Sequence, residues 1–231
     1  MLDVFHIAKP QGCDIQVFYG KATGVSTSTN VGQYSWLKPR GVSFIYMMLI
    51  GAGGVGDATN GGGSGAVTVW FGNANNVPDQ LVVIPAFSGN SFHATTVSSK
   101  QATSTAGLTP ALLLSAPSAT TGLGGSAMTA NQFCASGFFQ SVAGQAGATG
   151  TVSASSTTFL SGGTQGGNDI NANYGYQVTG AGPKKDGYFL MQPIIVGLAA
   201  SGTGNGGIGC GSGSAGTPGN GGPGMVLIAS W

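Results

Sequence analysis

The sequence predicts an all-β fold, a sandwich or jelly-roll-like body with long glycine-rich excursions between its strands. Glycine supplies 44 of the 231 residues, against a usual share of roughly 7%. Only 6% of the residues are charged, whereas long solvated helices need glutamate, lysine and arginine on their outer face. Short apolar runs, rich in β-branched and aromatic residues, alternate with the glycine-rich segments, as is typical of strands.

The chain is expected to divide into an N-terminal attachment segment, residues 1–32, and a glycine-rich β domain, residues 33–231. The alternation from Asp14 to Tyr19 predicts a strand within the first segment. Serine, threonine, glycine and asparagine dominate residues 21–32, and this composition predicts a loop or hinge that separates the two parts.

The domain opens with a predicted turn over Trp36–Gly41, which contains Pro39. The run Val42–Ile50 is the most apolar in the chain. It is short and ends in glycine, so we predict a buried strand rather than a helix. Further strands are predicted at Ala66–Phe71, Gln80–Ile84, Ser91–Ser98, Ala111–Ser115 and Gly224–Trp231.

Several glycine-rich segments repeat glycine at every third position. The polyproline-II-type helix has three residues per turn, so this period predicts polyglycine-II helices whose backbones bond to one another side by side. The alternative is that the segments are flexible loops. The glycines to which we assign a structural role are Gly51, Gly53, Gly54, Gly213, Gly216, Gly219 and Gly222.

A strand followed by GAGGVG at residues 51–56 imitates the G-x-G-x-x-G dinucleotide fingerprint. That fingerprint requires a helix after the glycines, and the glycine-rich residues 57–65 cannot propagate one. GGVGD at residues 53–57 approaches a calcium-binding repeat, but it lacks a spacer and does not recur in tandem. We therefore expect no cofactor and no metal.

The remaining composition argues against an enzyme and against several partners. His6 and His93 are the only histidines, and the six acidic residues are scattered aspartates, so catalytic groups are scarce. A net charge of +1 gives little electrostatic attraction to phosphate groups, so nucleic-acid binding is not expected. No continuous apolar run approaches 18 residues, so no membrane span is predicted.

The remaining functional class is the recognition of a partner through uncharged side chains. Aromatic residues cluster between the glycine-rich segments, beside asparagine, glutamine and serine. Tyrosine offers large contact area at low entropic cost, and small polar residues supply hydrogen bonds, as in adaptable binding loops. The alternative is that these rings fill a thin core. The candidate receptor-binding residues are Tyr174, Tyr176, Tyr188, Phe189, Phe138 and Phe139.

The order of motifs over residues 34–231 resembles the glycine-rich domain of phage tail-fibre and other virion surface proteins. The resemblance is carried by Trp36-x-x-Pro39-x-Gly41-Val42, by Ile50-Gly51-Ala52-Gly53-Gly54, by Ala66-Val67-Thr68-Val69, and by GNGGPGMVLI at residues 219–228 before Trp231. It implies a β-rich domain. It also implies an adhesin-like arrangement, in which polyglycine-II sandwiches present variable receptor-binding loops.

These expectations combine into a functional hypothesis. The protein is expected to be a non-enzymatic virion surface protein of tail-fibre or spike type, which binds a host receptor or glycan. The alternative is a capsid or vertex component that acts through assembly contacts. Other virion proteins are the expected partners. So few charges favour a homo-oligomer that hides its apolar strands, with a trimer guessed from fibre and spike architecture.

Overall fold

A computed structural model of the protein describes residues 13–20, 32–56, 61–87, 93–99, 111–120, 122–144, 146–147, 209, 211 and 220–231. Within these residues the fold is all-β, as the sequence predicts. The strands are β1 (Asp14–Tyr19), β2 (Tyr34–Leu37), β3 (Phe44–Ile50), β4 (Val67–Asn73), β5 (Gln80–Ile84), β6 (Thr95–Ser99), β7 (Leu112–Ala116), β8 (Gly137–Val142) and β9 (Met225–Ser230). Two short 3₁₀ turns occupy Ala74–Asn76 and Cys134–Ser136.

The described strands form two antiparallel sheets. The five-stranded sheet has the order β1-β9-β3-β4-β8, and the four-stranded sheet has the order β2-β5-β6-β7. The last strand, β9, is inserted between β1 and β3, and each residue of β1 pairs with a residue of β9. The strand of the predicted attachment segment is therefore part of the same sheet as the glycine-rich domain.

Two strands were not predicted. Trp36 and Leu37 belong to β2, so the turn predicted over Trp36–Gly41 is wrong at its start; the turn itself lies at Arg40 and Gly41. Gly41 has a φ of 79°, which glycine adopts without steric cost, and the turn signal around Pro39 obscured the short strand ahead of it. The second, β8, alternates in burial, but its two phenylalanines favoured a loop interpretation.

One face of each sheet meets the other sheet in the main core. Trp36 and Trp70 are the largest side chains there, and both are essentially fully buried. Burying each large apolar side chain contributes about 1.5–3 kcal/mol. The aliphatic residues of this core include Ile45, Met47, Leu49, Leu81, Val83, Val97, Leu114, Val226 and Ile228.

The five-stranded sheet is apolar on its second face as well. The residues of β3 and β9 that alternate with the core residues form a separate cluster, which includes Tyr46, Met48, Ile50, Met225 and Leu227. All of these side chains are buried. A strand buried on both faces needs apolar residues at consecutive positions, which explains why FIYMMLI and MVLIA are continuous apolar runs.

Lys38 connects β2 to the turn that precedes β5. Its ammonium donates hydrogen bonds to the carbonyl oxygens of Ala74 (3.2 Å) and Val77 (2.8 Å). It also lies 2.8 Å from a carboxylate oxygen of Asp79. The Lys38 side chain is 19% exposed, whereas that of Asp79 is 93% exposed. The carbonyl contacts are therefore shielded from water, and the ion pair is not.

We expect Lys38→Met to lower the free energy of unfolding by about 1–3 kcal/mol, because it removes charge-assisted hydrogen bonds to partly buried carbonyl groups. Asp79→Asn is the matched control and should cost less than about 1 kcal/mol, because exposed ion pairs contribute little. Urea unfolding of both variants measures the difference. Equal losses in the two variants would show that the ion pair, rather than the carbonyl contacts, stabilises this junction.

Candidate functional site

A group of glycine-rich segments lies together at one end of the sandwich. The strand pairing explains why these segments meet. Ile50 lies opposite both Val67 and Met225, and Val67 lies opposite Val142. The segments that continue these four strands therefore begin at the same end of the five-stranded sheet. We call this group the glycine platform. It comprises residues 51–56, 61–66, 117–120, 122–125, 144, 146–147, 209, 211 and 220–224.

Residues 61–66 form the centre of the platform and are fully buried. Their backbone groups bond to several neighbouring segments rather than to one, unlike the ladder of a sheet. The central bonds are Gly54 N to Gly63 O (2.8 Å), Gly65 N to Gly209 O (2.8 Å), Ala66 N to Pro117 O (3.0 Å), Gly125 N to Ser64 O (2.9 Å) and Gly51 N to Ala66 O (2.8 Å). The central segment is therefore held from at least three sides.

At several glycines of these segments the packing leaves no room for a side chain. A Cβ atom added at Gly65 would overlap the carbonyl oxygen of Gly51, and one added at Gly125 would overlap that of Pro117. The same overlap with a neighbouring carbonyl oxygen arises at Gly62, Gly63, Gly144, Gly147, Gly211 and Gly221. Glycine is required at these positions because two backbones approach closely, not because of the local turn.

Four of the glycines predicted to be structural belong to the platform. Gly51 and Gly54 donate within it, and Gly53 N donates to Gly222 O at 2.9 Å. The other three, Gly213, Gly216 and Gly219, lie outside the described residues. The polyglycine-II form of the segments stays a prediction.

The platform holds both ends of the long stretch 148–208. On the entering side, Gly147 approaches the backbone of Gly61 so closely that a Cβ would overlap its carbonyl oxygen. On the returning side, Gly209 accepts a hydrogen bond from Gly65 (2.8 Å) and donates one to Pro223 (2.9 Å). The stretch therefore starts and ends on the same central segment. The candidate residues Tyr174, Tyr176, Tyr188 and Phe189 lie within it, outside the described residues.

The other two candidate residues lie on β8, away from these anchors. Phe138 points to the outer face of the five-stranded sheet and is 60% exposed. Phe139 points the opposite way and packs against the main core. The structure therefore separates a pair that the sequence analysis placed in one recognition group, since neighbouring residues of a strand project to opposite faces.

An aromatic row on the outer face was missed by the sequence analysis. The ring centroids of Phe44 and Phe71 are 5.7 Å apart, and those of Phe71 and Trp231 are 5.8 Å apart, with the rings stacked. Phe138 lies directly opposite Phe71 in the strand pairing. The available signal was the aromatic residue at the outward positions of β3 and β4 and directly after β9. Chain order does not show that these strands are neighbours.

Two features are absent from the described residues: groups of metal-ligating side chains and membrane-spanning helices. These residues contain no group of three or more histidine, cysteine, aspartate or glutamate side chains that could hold a metal ion. No helix among them has the length and apolar character to cross a membrane. What the described residues offer is closely packed backbone in the platform and aromatic surface on the outer face.

The sequence was compared with protein-family models and with curated protein sequences. No protein-family model matches it, and no curated protein has a significantly similar sequence.

We expect Gly65→Ala and Gly125→Ala each to lower the free energy of unfolding by about 1–3 kcal/mol or more, because the added methyl group overlaps a backbone that cannot move freely. Gly32→Ala is the matched control. A Cβ there would make only ordinary contacts, at 3.5 Å or more, with the Tyr34 ring. Thermal unfolding compares the three variants. If alanine were tolerated equally at all three positions, the close packing of the platform would be refuted.

Proposed function

We propose that the protein is a non-enzymatic virion surface protein of tail-fibre or spike type, which binds a host receptor or glycan through the stretch held on the glycine platform. One observation carries the proposal: both ends of residues 148–208 are attached to the central segment 61–66. Tyr174, Tyr176, Tyr188 and Phe189 belong to this stretch in the sequence.

The physical properties of the platform suit this role. Most of its described bonds and all of the tight contacts cited above connect backbone to backbone, and one further bond runs from Ala52 N to the Ser118 hydroxyl oxygen (3.0 Å). None of these contacts between described residues uses a side chain of residues 148–208. A rigid scaffold that carries variable segments is the usual arrangement of binding loops, and holding the ends of a segment lowers the entropy lost on binding.

The charge of the protein supports recognition by uncharged groups. With a net charge of +1 and 6% charged residues, long-range attraction of a charged partner is weak. Tyrosine rings combine an apolar face with a hydroxyl group that forms hydrogen bonds. A receptor surface that offers apolar faces and hydroxyl groups, such as a glycan, is the partner that this composition suits.

A capsid or vertex component is the second candidate, and a different observation favours it. The outer face of the five-stranded sheet carries the aromatic row of Phe44, Phe71 and Trp231, and Phe138 extends the row to the edge strand. Exposed apolar area of this kind marks protein contacts. Both candidates are virion proteins, and they differ in which surface performs the function.

We expect the double substitution Tyr174→Ala/Tyr176→Ala to lower binding to host cells by at least tenfold, because it removes two ring contacts of the size found at binding hot spots. Tyr19→Ala is the control, since it removes a tyrosine that is 45% exposed on β1. Labelled protein applied to a panel of host cells measures binding, and circular dichroism verifies folding. Unchanged binding by the double variant, together with failure of particle assembly in a Phe44→Ser variant, would favour the capsid component.

Hydrogen exchange on the isolated protein tests the platform as a preformed scaffold. The amides of Gly54, Gly65 and Gly125 donate to backbone carbonyls, so we expect them to exchange as slowly as those of β3. Fast exchange at these three amides, with protection only in the strands, would show that the platform becomes ordered on assembly. That result would contradict the receptor-binding proposal and favour the capsid component.

A further inference from the structure

Among the residues that the structure describes, β8 is an edge strand with no strand on one side, and the hydrogen bonds of its neighbours show which of its backbone groups face outward. Phe44 N donates to Trp231 O at 2.9 Å, and Trp231 N donates to Phe44 O at 3.1 Å. Phe44 and every second residue after it therefore bond toward β9, and Ile45, Met47 and Leu49 bond toward β4. The bond from Gly51 N to Ala66 O continues this pattern.

The same alternation passes through β4 to β8. Because Thr68 and Trp70 bond back toward β3, the residues Val67, Val69 and Phe71 bond toward β8. Their partners are Val142, Gln140 and Phe138, respectively. The backbone N–H and C=O groups of the remaining β8 residues, Gly137, Phe139 and Ser141, therefore point away from the sheet. No other described segment forms a backbone hydrogen bond with these three residues.

The sequence of β8 lacks the features that prevent edge-to-edge pairing. The described segment at Met128 contacts β8, but its backbone N–H donates to the Ser141 hydroxyl oxygen (2.8 Å) and not to the backbone of the strand. The strand, GFFQSV, has no charged residue and no proline, and its pairing with β4 shows no register shift. Natural edge strands are normally protected by such features or by a covering segment. The edge of the other sheet at β7 is covered in this way, since the Asn131 side-chain amide donates to the carbonyl oxygens of Leu112 and Leu113.

We propose that a second copy of this chain pairs with β8 in antiparallel orientation about a twofold axis, joining two five-stranded sheets into one of ten strands. A second copy is the partner because the outward-facing residues of β8 can pair with the same residues of another β8 strand. With Phe139 opposite Phe139 of the partner subunit, Gly137 lies opposite Ser141 of the partner subunit, and all three outward-facing residues are bonded. Shifting the register by two residues in either direction leaves one of the three without a partner among the other outward-facing residues of β8.

The side chains of the outer face fit this register. Phe138, 60% exposed, lies opposite Gln140 of the partner subunit, so an amide group packs against each ring. No like charges meet, because β8 has none. The pairing also brings the two aromatic rows together into one continuous apolar surface. This interface does not depend on the proposed function, and it differs from the trimer that fibre and spike architecture suggested.

Residue-resolved hydrogen exchange on the full chain, at several protein concentrations, tests the pairing. At concentrations where sedimentation shows a dimer, the amides of Phe139 and Ser141 should exchange slowly, and on dilution to the monomer they should exchange fast. The amides of Phe138 and Gln140 are the internal control, because they bond to β4 and should be slow in both states. A monomer at every concentration, or a trimer, would overturn the proposal. So would slow exchange of Phe139 and Ser141 in the monomer.

A charge-pair experiment tests the register. Phe138→Lys and Gln140→Glu each place a charge opposite an uncharged side chain of the partner, so each should raise the dimer dissociation constant by tenfold or more. The double variant places the introduced lysine opposite the introduced glutamate, so it should recover most of the lost affinity. Circular dichroism checks that each monomer is folded. Failure of the double variant to recover dimerisation, with folded monomers, would overturn the proposed register.

Discussion

The close approach of backbones without side chains is the constraint on which the structure depends. At Gly65, Gly125 and Gly144 a single methyl group would overlap a neighbouring carbonyl oxygen. Only under this condition can residues 61–66 be surrounded by other segments and bond to several of them. These tight contacts are made by backbone atoms of the neighbouring segments. They therefore do not depend on which side chains those segments carry.

The platform and the sheets stabilise different parts of the chain. The two tryptophans and the aliphatic residues between the sheets form a conventional core. The platform continues from the ends of β3, β4, β8 and β9. Next to it, Thr95 of β6 joins the two sheets by donating from its hydroxyl to Ile50 O of β3 at 2.7 Å.

The low charge of the chain affects both how its strands are covered and what kind of partner it can bind. Strands β3 and β9 of the five-stranded sheet are apolar on both faces, and such surface stays out of water only when other segments or other chains cover it. Contacts between copies of the chain and recognition of an uncharged receptor use the same chemistry, which is apolar area with a few hydrogen bonds. The two proposals place these contacts on different surfaces, the edge of β8 and the platform end.

The sequence by itself determined the all-β class and most strands, because alternating or continuous apolar runs are local patterns. Gln80–Ile84 was predicted to the residue, whereas β2 was hidden by a neighbouring turn signal. The sequence also predicted a structural role for Gly51, Gly53, Gly54 and Gly222, which lie in the platform. Only the tertiary structure decided which backbones meet at the platform, that Phe138 and Phe139 diverge, and that β8 is an edge strand of the described sheet. These features depend on pairing between segments distant in the chain, and local composition carries no information about such pairing.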